Sequence, residues 1–241
     1  MSPSRRPSRG RGQHAGLDAP TILRTAIDLA DRDGLAALSM RRLGAELDVE
    51  AMAIYHHFPS KDALLDAIVG ELVAQAAVSG QPTGDWQSQL RCYALSFFER
   101  LTEHPNLLPL VLTRPAMTGG SLQVMESLVG VLCDAGFAPE RSLDIVYALA
   151  RLVLIHAALD TGTDQSLAAG DPAGQLAGVS PDEFPVLAEA AHASLGRPAT
   201  YRLEFAVDAL IIGFAQGLRS PRKRPGRAAP PAGTSAASPR A

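Results

Sequence analysis

The sequence predicts an all-α protein, with an N-terminal three-helix helix-turn-helix domain followed by a larger helical domain. Three observations carry that prediction. Apolar residues recur every three or four positions along most of the chain, while alternating β-branched runs are nowhere sustained. Capping residues and glycine or proline stops stand at the ends of the periodic runs. Near the N-terminus three such runs are short and closely spaced, with a tight turn between the second and third.

Each element follows from its local chemistry. Asp18 caps a first helix with Pro20 in its opening turn; Ile22, Ala26, Leu29 and Ala30 form its buried stripe, and Gly34 stops it. Ser39 caps a second helix, MRRLGAEL, that buries Leu43 and Leu47. A turn at Asp48-Val49 leads into a third, AMAIYHHF, whose Ile54 and Phe58 lie four apart and face the first two. Pro59 ends it, and Ser60 caps a fourth helix with Leu64, Leu65, Ile68, Val69, Leu72 and Val73 on a wide apolar face. A fifth runs from Trp86 to about Glu103, followed by HPNLLPLVLTRP, a segment broken by three prolines. Residues 121–135 form another helix, ended by Gly136. PERSLDIVYALARLVLIHAALD and ATYRLEFAVDALIIGFAQGL are long helices, apolar nearly all round, separated by the Gly-rich loop GTDQSLAAGDPAGQLAGVSP.

The expected organisation is a basic arm over 1–16, a helix-turn-helix domain over 17–66, a larger domain over 67–218 and a basic tail over 219–241. Both ends are rich in Arg, Pro, Gly, Ser and Ala, too poor in apolar residues to fold alone. They read either as solubilising tails or as arms that add phosphate contacts. The surplus apolar faces of the two long helices predict a four-helix interface with a second copy, hence a homodimer.

Composition narrows the function classes. The chain is 46% hydrophobic and 20% charged, as expected for a protein with a real core. Cys92 and Cys133 are far apart, which argues against a disulfide framework or zinc cage and for free thiols in a reducing compartment. No uncharged apolar stretch reaches a membrane span and the N-terminus lacks a secretory apolar core, so a cytoplasmic location without a membrane partner is expected. Adjacent His56 and His57 project about 100° apart on a helix, a poor arrangement for one metal ion. With no nucleophile–base pair, phosphate loop or paired carboxylates, neither catalytic residues, a metal nor a cofactor is expected.

In a helix-turn-helix unit the second helix of the pair lies in the DNA major groove, and two copies roughly 34–36 Å apart read a palindrome. That places Ala51, Met52, Tyr55 and His56 on faces open to DNA. Within PERSLDIVYALARLVLIHAALD, Asp144, Tyr147 and Arg151 share one face, while His156 and Asp160 share the opposite one. One set is expected at a pocket and the other at the partner, with an Asp144–Arg151 ion pair as the plainer alternative.

The run LSMRRLGAELDVEAMAIYHHFPSKDALLDAI resembles the DNA-binding domain of the tetracycline-repressor (TetR) family. The shared features are Leu-x-x-Arg-x-Leu, the valine at the turn, Tyr-x-His-aromatic and Lys-x-x-Leu-Leu. LTRPAMTGGSLQVMESLVGVLCDAGFAPE is similar to the ligand-binding half of tetracycline repressors in its Thr-Arg-Pro and Leu-Cys-x-x-Gly-Phe elements. The resemblance implies DNA contact by Arg41, phosphate contacts by Tyr55, His57 and Lys61, and base reading by Ala51, Met52 and His56. It also implies a ligand pocket lined by Tyr93 and Phe97 with Thr113 and Arg114 beside it; Tyr147, Arg151 and His156 are the polar candidates on the neighbouring helix.

Departures from the family pattern matter too. Asp48 replaces the usual turn glycine, and Ala51-Met52-Ala53 replaces a more polar reading face, which points to a different operator. Leu110 and Ala77 stand where tetracycline repressors carry a magnesium-binding and a ligand-contacting histidine. A largely apolar effector, not a magnesium–tetracycline chelate, is therefore expected. The function implied is a ligand-responsive repressor, a homodimer on double-stranded operator DNA; a DNA-binding regulator without an effector, or an activator, is the alternative.

Overall fold

A computed structural model describes residues 17–79, 84–162, 174 and 176–219. The basic arm over 1–16, most of the Gly-rich loop and the tail from 220 onward lie outside the described residues. The described residues form ten α-helices and two short 3-10 turns, with no strand among them.

Helix α1 (Ala19–Asp33) starts where the Thr21 N–H donates to Asp18 Oδ1 at 2.8 Å, and ends at Gly34, whose φ is +81°. After a 3-10 turn over 35–37, α2 (Met40–Glu46) begins at Ser39, whose Oγ accepts the Arg42 N–H at 3.2 Å. Helix α3 (Ala51–Tyr55) and α4 (Lys61–Ser79) complete the N-terminal unit, with Ser60 Oγ accepting the Ala63 N–H at 3.0 Å. Ile22, Leu29, Leu38, Leu43, Ile54 and Leu64 are fully buried together. Each such side chain contributes about 1.5–3 kcal/mol of burial, before the entropy of ordering the chain is subtracted.

The turn between α2 and α3 has a definite geometry. Asp48 takes φ +54°, and it is the only non-glycine with positive φ among the described residues. The Val49 N–H donates to Gly44 O at 2.9 Å and the Asp48 N–H to Ala45 O at 3.3 Å, the paired closure of a helix C-terminus. A Cβ on Gly44 would sit 2.8 Å from Val49 O and 3.2 Å from Ala51 N, so the close approach of α3 requires glycine there.

Helix α3 is shorter than the apolar spacing suggests. Ile54 O accepts both the His57 and Phe58 N–H groups at 2.9 Å, which tightens the last turn and releases His56 and His57 from regular helix ahead of Pro59.

Helix α4 runs from the N-terminal unit into the larger body, where it packs on α5 (Trp86–Glu103) and α7 (Gly119–Asp134). The three-proline segment resolves into a 3-10 turn over 105–107 and α6 (Leu108–Thr113). Helix α8 (Pro139–Thr161) buries Ile145, Val146, Leu149, Val153 and Ala157 against α5 and α7. It is the one helix among the described residues long and apolar enough to cross a membrane; one side of that length is buried in the core, while Leu143, Tyr147, Ile155 and Leu159 stay exposed.

Helix α9 (Pro185–Ser194) was not anticipated; its Ala-rich run has the propensity but buries only Ala188 and Ala191. Helix α10 (Ala199–Arg219) buries Leu203, Val207 and Ile211, and is tied to α5 where Arg91 donates to Asp208 at 2.9 Å and Glu204 at 2.7 Å.

Candidate nucleic-acid interface and cavity

The N-terminal unit leaves a set of side chains exposed on α2, on and just after α3, and at the start of α4. Arg41, Met52, Tyr55, His56, His57 and Lys61 are all exposed, Met52 by 64%. Arg41, Tyr55, His56, His57 and Lys61 have no side-chain partner among the described residues. Their neighbours differ: Arg42 bonds Asp33, and Arg32 donates to Glu46 at 2.6 Å, so those cations brace α1 against α2. Braced cations are poor phosphate ligands, and free ones are good ones. Ala51 is half-buried and packs on the core, so its methyl is less accessible than the sequence suggests.

Besides α4 itself, side-chain hydrogen bonds among the described residues tie this unit to the body at both ends of the segment between α5 and α7. At its start the His104 ring nitrogen Nδ1 lies 2.6 Å from Asp31 Oδ2, and Asn106 Nδ2 donates to Asp31 O at 2.8 Å. At its end Arg114 donates to Asp66 Oδ1 at 2.8 Å and also bonds the Asp62 carboxylate, gripping the first two turns of α4. Those bonds, the Asp66 one first, raise the Arg114 pKa and hold its charge on α4.

Between the ties the segment walls a cavity of about 420 Å³. Its apolar walls include Val69 and Val73 of α4, Val111 of α6, and Met125 and Leu128 of α7. Tyr93 and Phe97 stack with ring centroids 5.8 Å apart at 17°. Six of the seven sequence-selected pocket residues border this one space: Tyr93, Phe97, Thr113, Arg114, Tyr147 and Arg151. His156 does not; its Nδ1 donates back to Leu152 O at 2.9 Å, since five residues past Arg151 the helix has turned well away from the cavity. Asp144 and Arg151 make no ion pair among the described residues, so the plainer alternative for that face does not hold.

The Arg114 grip, the His104–Asp31 contact and the methionines at the cavity are features the sequence reading did not single out. The ties join residues roughly fifty and seventy positions apart, as in Arg114–Asp62 and His104–Asp31, and no local pattern marks such pairs. Gly70 of α4 is a further such point: a Cβ there would lie 1.9 Å from Thr118 Oγ1, the cap of α7. A wider recess of about 550 Å³ between α5 and α10 is more open, and the Arg91 ion pairs occupy its rim. Among the described residues no three His, Cys, Asp or Glu side chains are grouped to hold a metal ion.

Comparison with known proteins fits both regions. The profile of bacterial regulatory proteins of the tetR family matches residues 22–68, and that of the tetracyclin repressor-like C-terminal domain matches 79–217. The HTH-type transcriptional repressor Rv1353c of Mycobacterium tuberculosis is 28% identical over 214 residues, covering 84% of this chain and 82% of the relative. The class E tetracycline repressor protein of Escherichia coli is 27% identical over 214 residues, covering 88% and 97%. Among solved structures, the Streptomyces coelicolor TetR family protein ActR in complex with actinorhodin aligns with a TM-score of 0.68 at 26% identity, over 86% of this chain and 100% of that one. With its DNA-binding helices matched at one end and more than half its length matched to the repressor C-terminal domain, this chain belongs to the tetR family of bacterial regulatory proteins.

Proposed function

We propose that this chain is a ligand-responsive transcriptional repressor, acting in the cytoplasm as a homodimer on a palindromic operator. A reading head over 17–66 contacts DNA through Arg41, Tyr55, His56, His57 and Lys61, with Met52, and to a lesser extent the half-buried Ala51, offering methyl contacts to thymine. A sensor over 67–218 holds the effector in the 420 Å³ cavity. The structure of ActR with actinorhodin supports a small-molecule effector for this chain as well.

One observation carries the proposal: the segment that walls the cavity grips the head at both ends, through His104 and Asn106 on Asp31 and through Arg114 on Asp62 and Asp66. A ligand that displaces α6 must therefore strain or release the hold on α4, and α4 carries Lys61 at its first position. Tilting α4 alters the spacing of two heads in a dimer. Release needs only a ligand with differential affinity for the two arrangements; about 1.4 kcal/mol lowers operator affinity tenfold.

The dimer is supported by apolar side chains left outside: Leu143, Ile155 and Leu159 on α8, and Tyr201, Phe205 and Ile212 on α10, with Phe205 70% exposed. Selection of bound fragments from random DNA, followed by a screen of compounds for release, tests the whole reading. A palindromic site freed by a small molecule supports it; a footprint that no compound perturbs, or a half-site bound by a monomer, refutes it. Within it, Arg114→Gln is expected to leave operator affinity near the wild-type value and to weaken effector-driven release about threefold to tenfold, read from dose–response curves.

A further inference from the structure

The cavity's polar groups are of two kinds, those already engaged and those left free. Thr113 Oγ1 donates to Pro109 O at 2.8 Å, within its own helix. Arg114 is held by Asp62 and Asp66, and Ser121 is held in the reciprocal cap with Thr118. Three groups remain. Tyr93 is 92% buried, its hydroxyl has no partner among the described residues, and it lines the cavity. Tyr147 and Arg151 stand at the mouth on α8, one turn apart, and neither has a partner among the described residues. No aspartate or glutamate lines the cavity.

The site thus has one unneutralised cation, one phenol left free to donate on the cavity wall, and no counter-charge for an amine. We propose that the effector is an anionic aromatic molecule, its carboxylate or comparable acidic oxygen held by Arg151 and its apolar body lodged against Tyr93 and Phe97. This rests on the reading of the cavity as the effector site. A guanidinium matches a carboxylate in a two-pronged arrangement, and such charge-assisted bonds are stronger than neutral ones. Burial raises the Tyr93 pKa, so its phenol keeps its proton at neutral pH and serves as a donor to a second ligand oxygen. Met117 and Met125 add polarisable sulfur to the walls, which suits an aromatic face. An ammonium ligand would meet Arg151 with no carboxylate to offset the repulsion. Arg151 is exposed in the single chain, where solvent screens part of the attraction, and a second copy over the neighbouring Ile155 and Leu159 would lessen that screening.

The test uses the full chain and three matched probes: anthracene-2-carboxylate, anthracene-2-carboxamide and anthracen-2-ylmethylammonium, titrated by ligand fluorescence. The carboxylate is expected to bind about tenfold tighter than the amide, with the ammonium weakest. In Arg151→Gln the acid-to-amide ratio is expected to fall below about threefold while amide affinity holds, which also reports an intact cavity; Arg151→Lys restores part of the ratio. Equal binding of acid and amide by the wild type, or an undiminished ratio in Arg151→Gln, overturns the anionic assignment and leaves the cavity reading standing. If none of the three probes binds at millimolar concentration, both readings fall.

Discussion

The head and the body use the same kind of side chain to different ends. In the head, short helices bring Leu38, Leu43 and Ile54 to complete burial, and what remains outside is polar or small apart from Met52 and Tyr55. In the body, long helices bury one stripe and leave large apolar residues in water, Phe205 at 70% and Ile212 at 59% exposure among them. Parts of the body's interior also stay open, around the cavity beside Tyr93 and Phe97. The head is finished as a monomer, while the body, under the function proposed above, is completed by a second copy outside and a ligand inside.

The largest expected break of that contrast is in the head. Ile54→Ala removes a fully buried side chain at the centre of three short helices and is expected to cost about 2–5 kcal/mol, seen as an early transition in urea unfolding. Sedimentation should still show the body as a dimer, because its apolar faces are untouched. The converse is Phe205→Glu, which places a charge on the most exposed apolar position of α10. It is expected to weaken dimerisation by about 2 kcal/mol, roughly thirtyfold, while the head's folding is unchanged. A monomeric wild-type protein at micromolar concentration would remove the basis of the comparison.

Smaller effects sharpen it. Lys61→Ala is expected to reduce operator affinity about threefold to tenfold and to lower the slope of log affinity against log salt by about 0.9, without affecting dimerisation. The two units also share an acid sensitivity at their caps. Hydrogen bonds from Thr21 hold the Asp18 carboxyl below its ordinary pKa of 3.8, and bonds from Ser88 do the same for Asp85. A depressed folded-state pKa gives stability that is present above the ordinary value and lost as pH falls through the lowered one. Asp18→Asn keeps an acceptor at the cap without titrating, so stability below pH 3.8 is expected to fall less steeply than in the wild type, by a small margin since the carboxylate is exposed.

Much of this was legible in advance, and the residues show why. Asp18, Ser39 and Ser60 cap the predicted helices because a side-chain oxygen three residues before a free N–H is a local arrangement, fixed by helical geometry alone. Asp48, standing where the family pattern has a glycine, takes a left-handed conformation, which Asp tolerates better than most residues. The extent of α3 was overestimated, since apolar spacing continues to Phe58 while the hydrogen bonds of Ile54 O close the helix at Tyr55. Helix α9 escaped notice because it buries too little to leave a stripe.

By itself the sequence determined the helical class, the helix-turn-helix unit and the residue types available to each face, because periodicity and capping act over a few residues. Which of those residues meet was decided only in three dimensions. Arg114 could have served the ligand or α4, and packing assigned it to Asp62 and Asp66. Arg151 could have paired with Asp144 on its own helix, and the fold left it free at the cavity mouth. An ion pair or a cavity is a relation between distant segments, and the tertiary arrangement alone sets the distances that decide whether it forms.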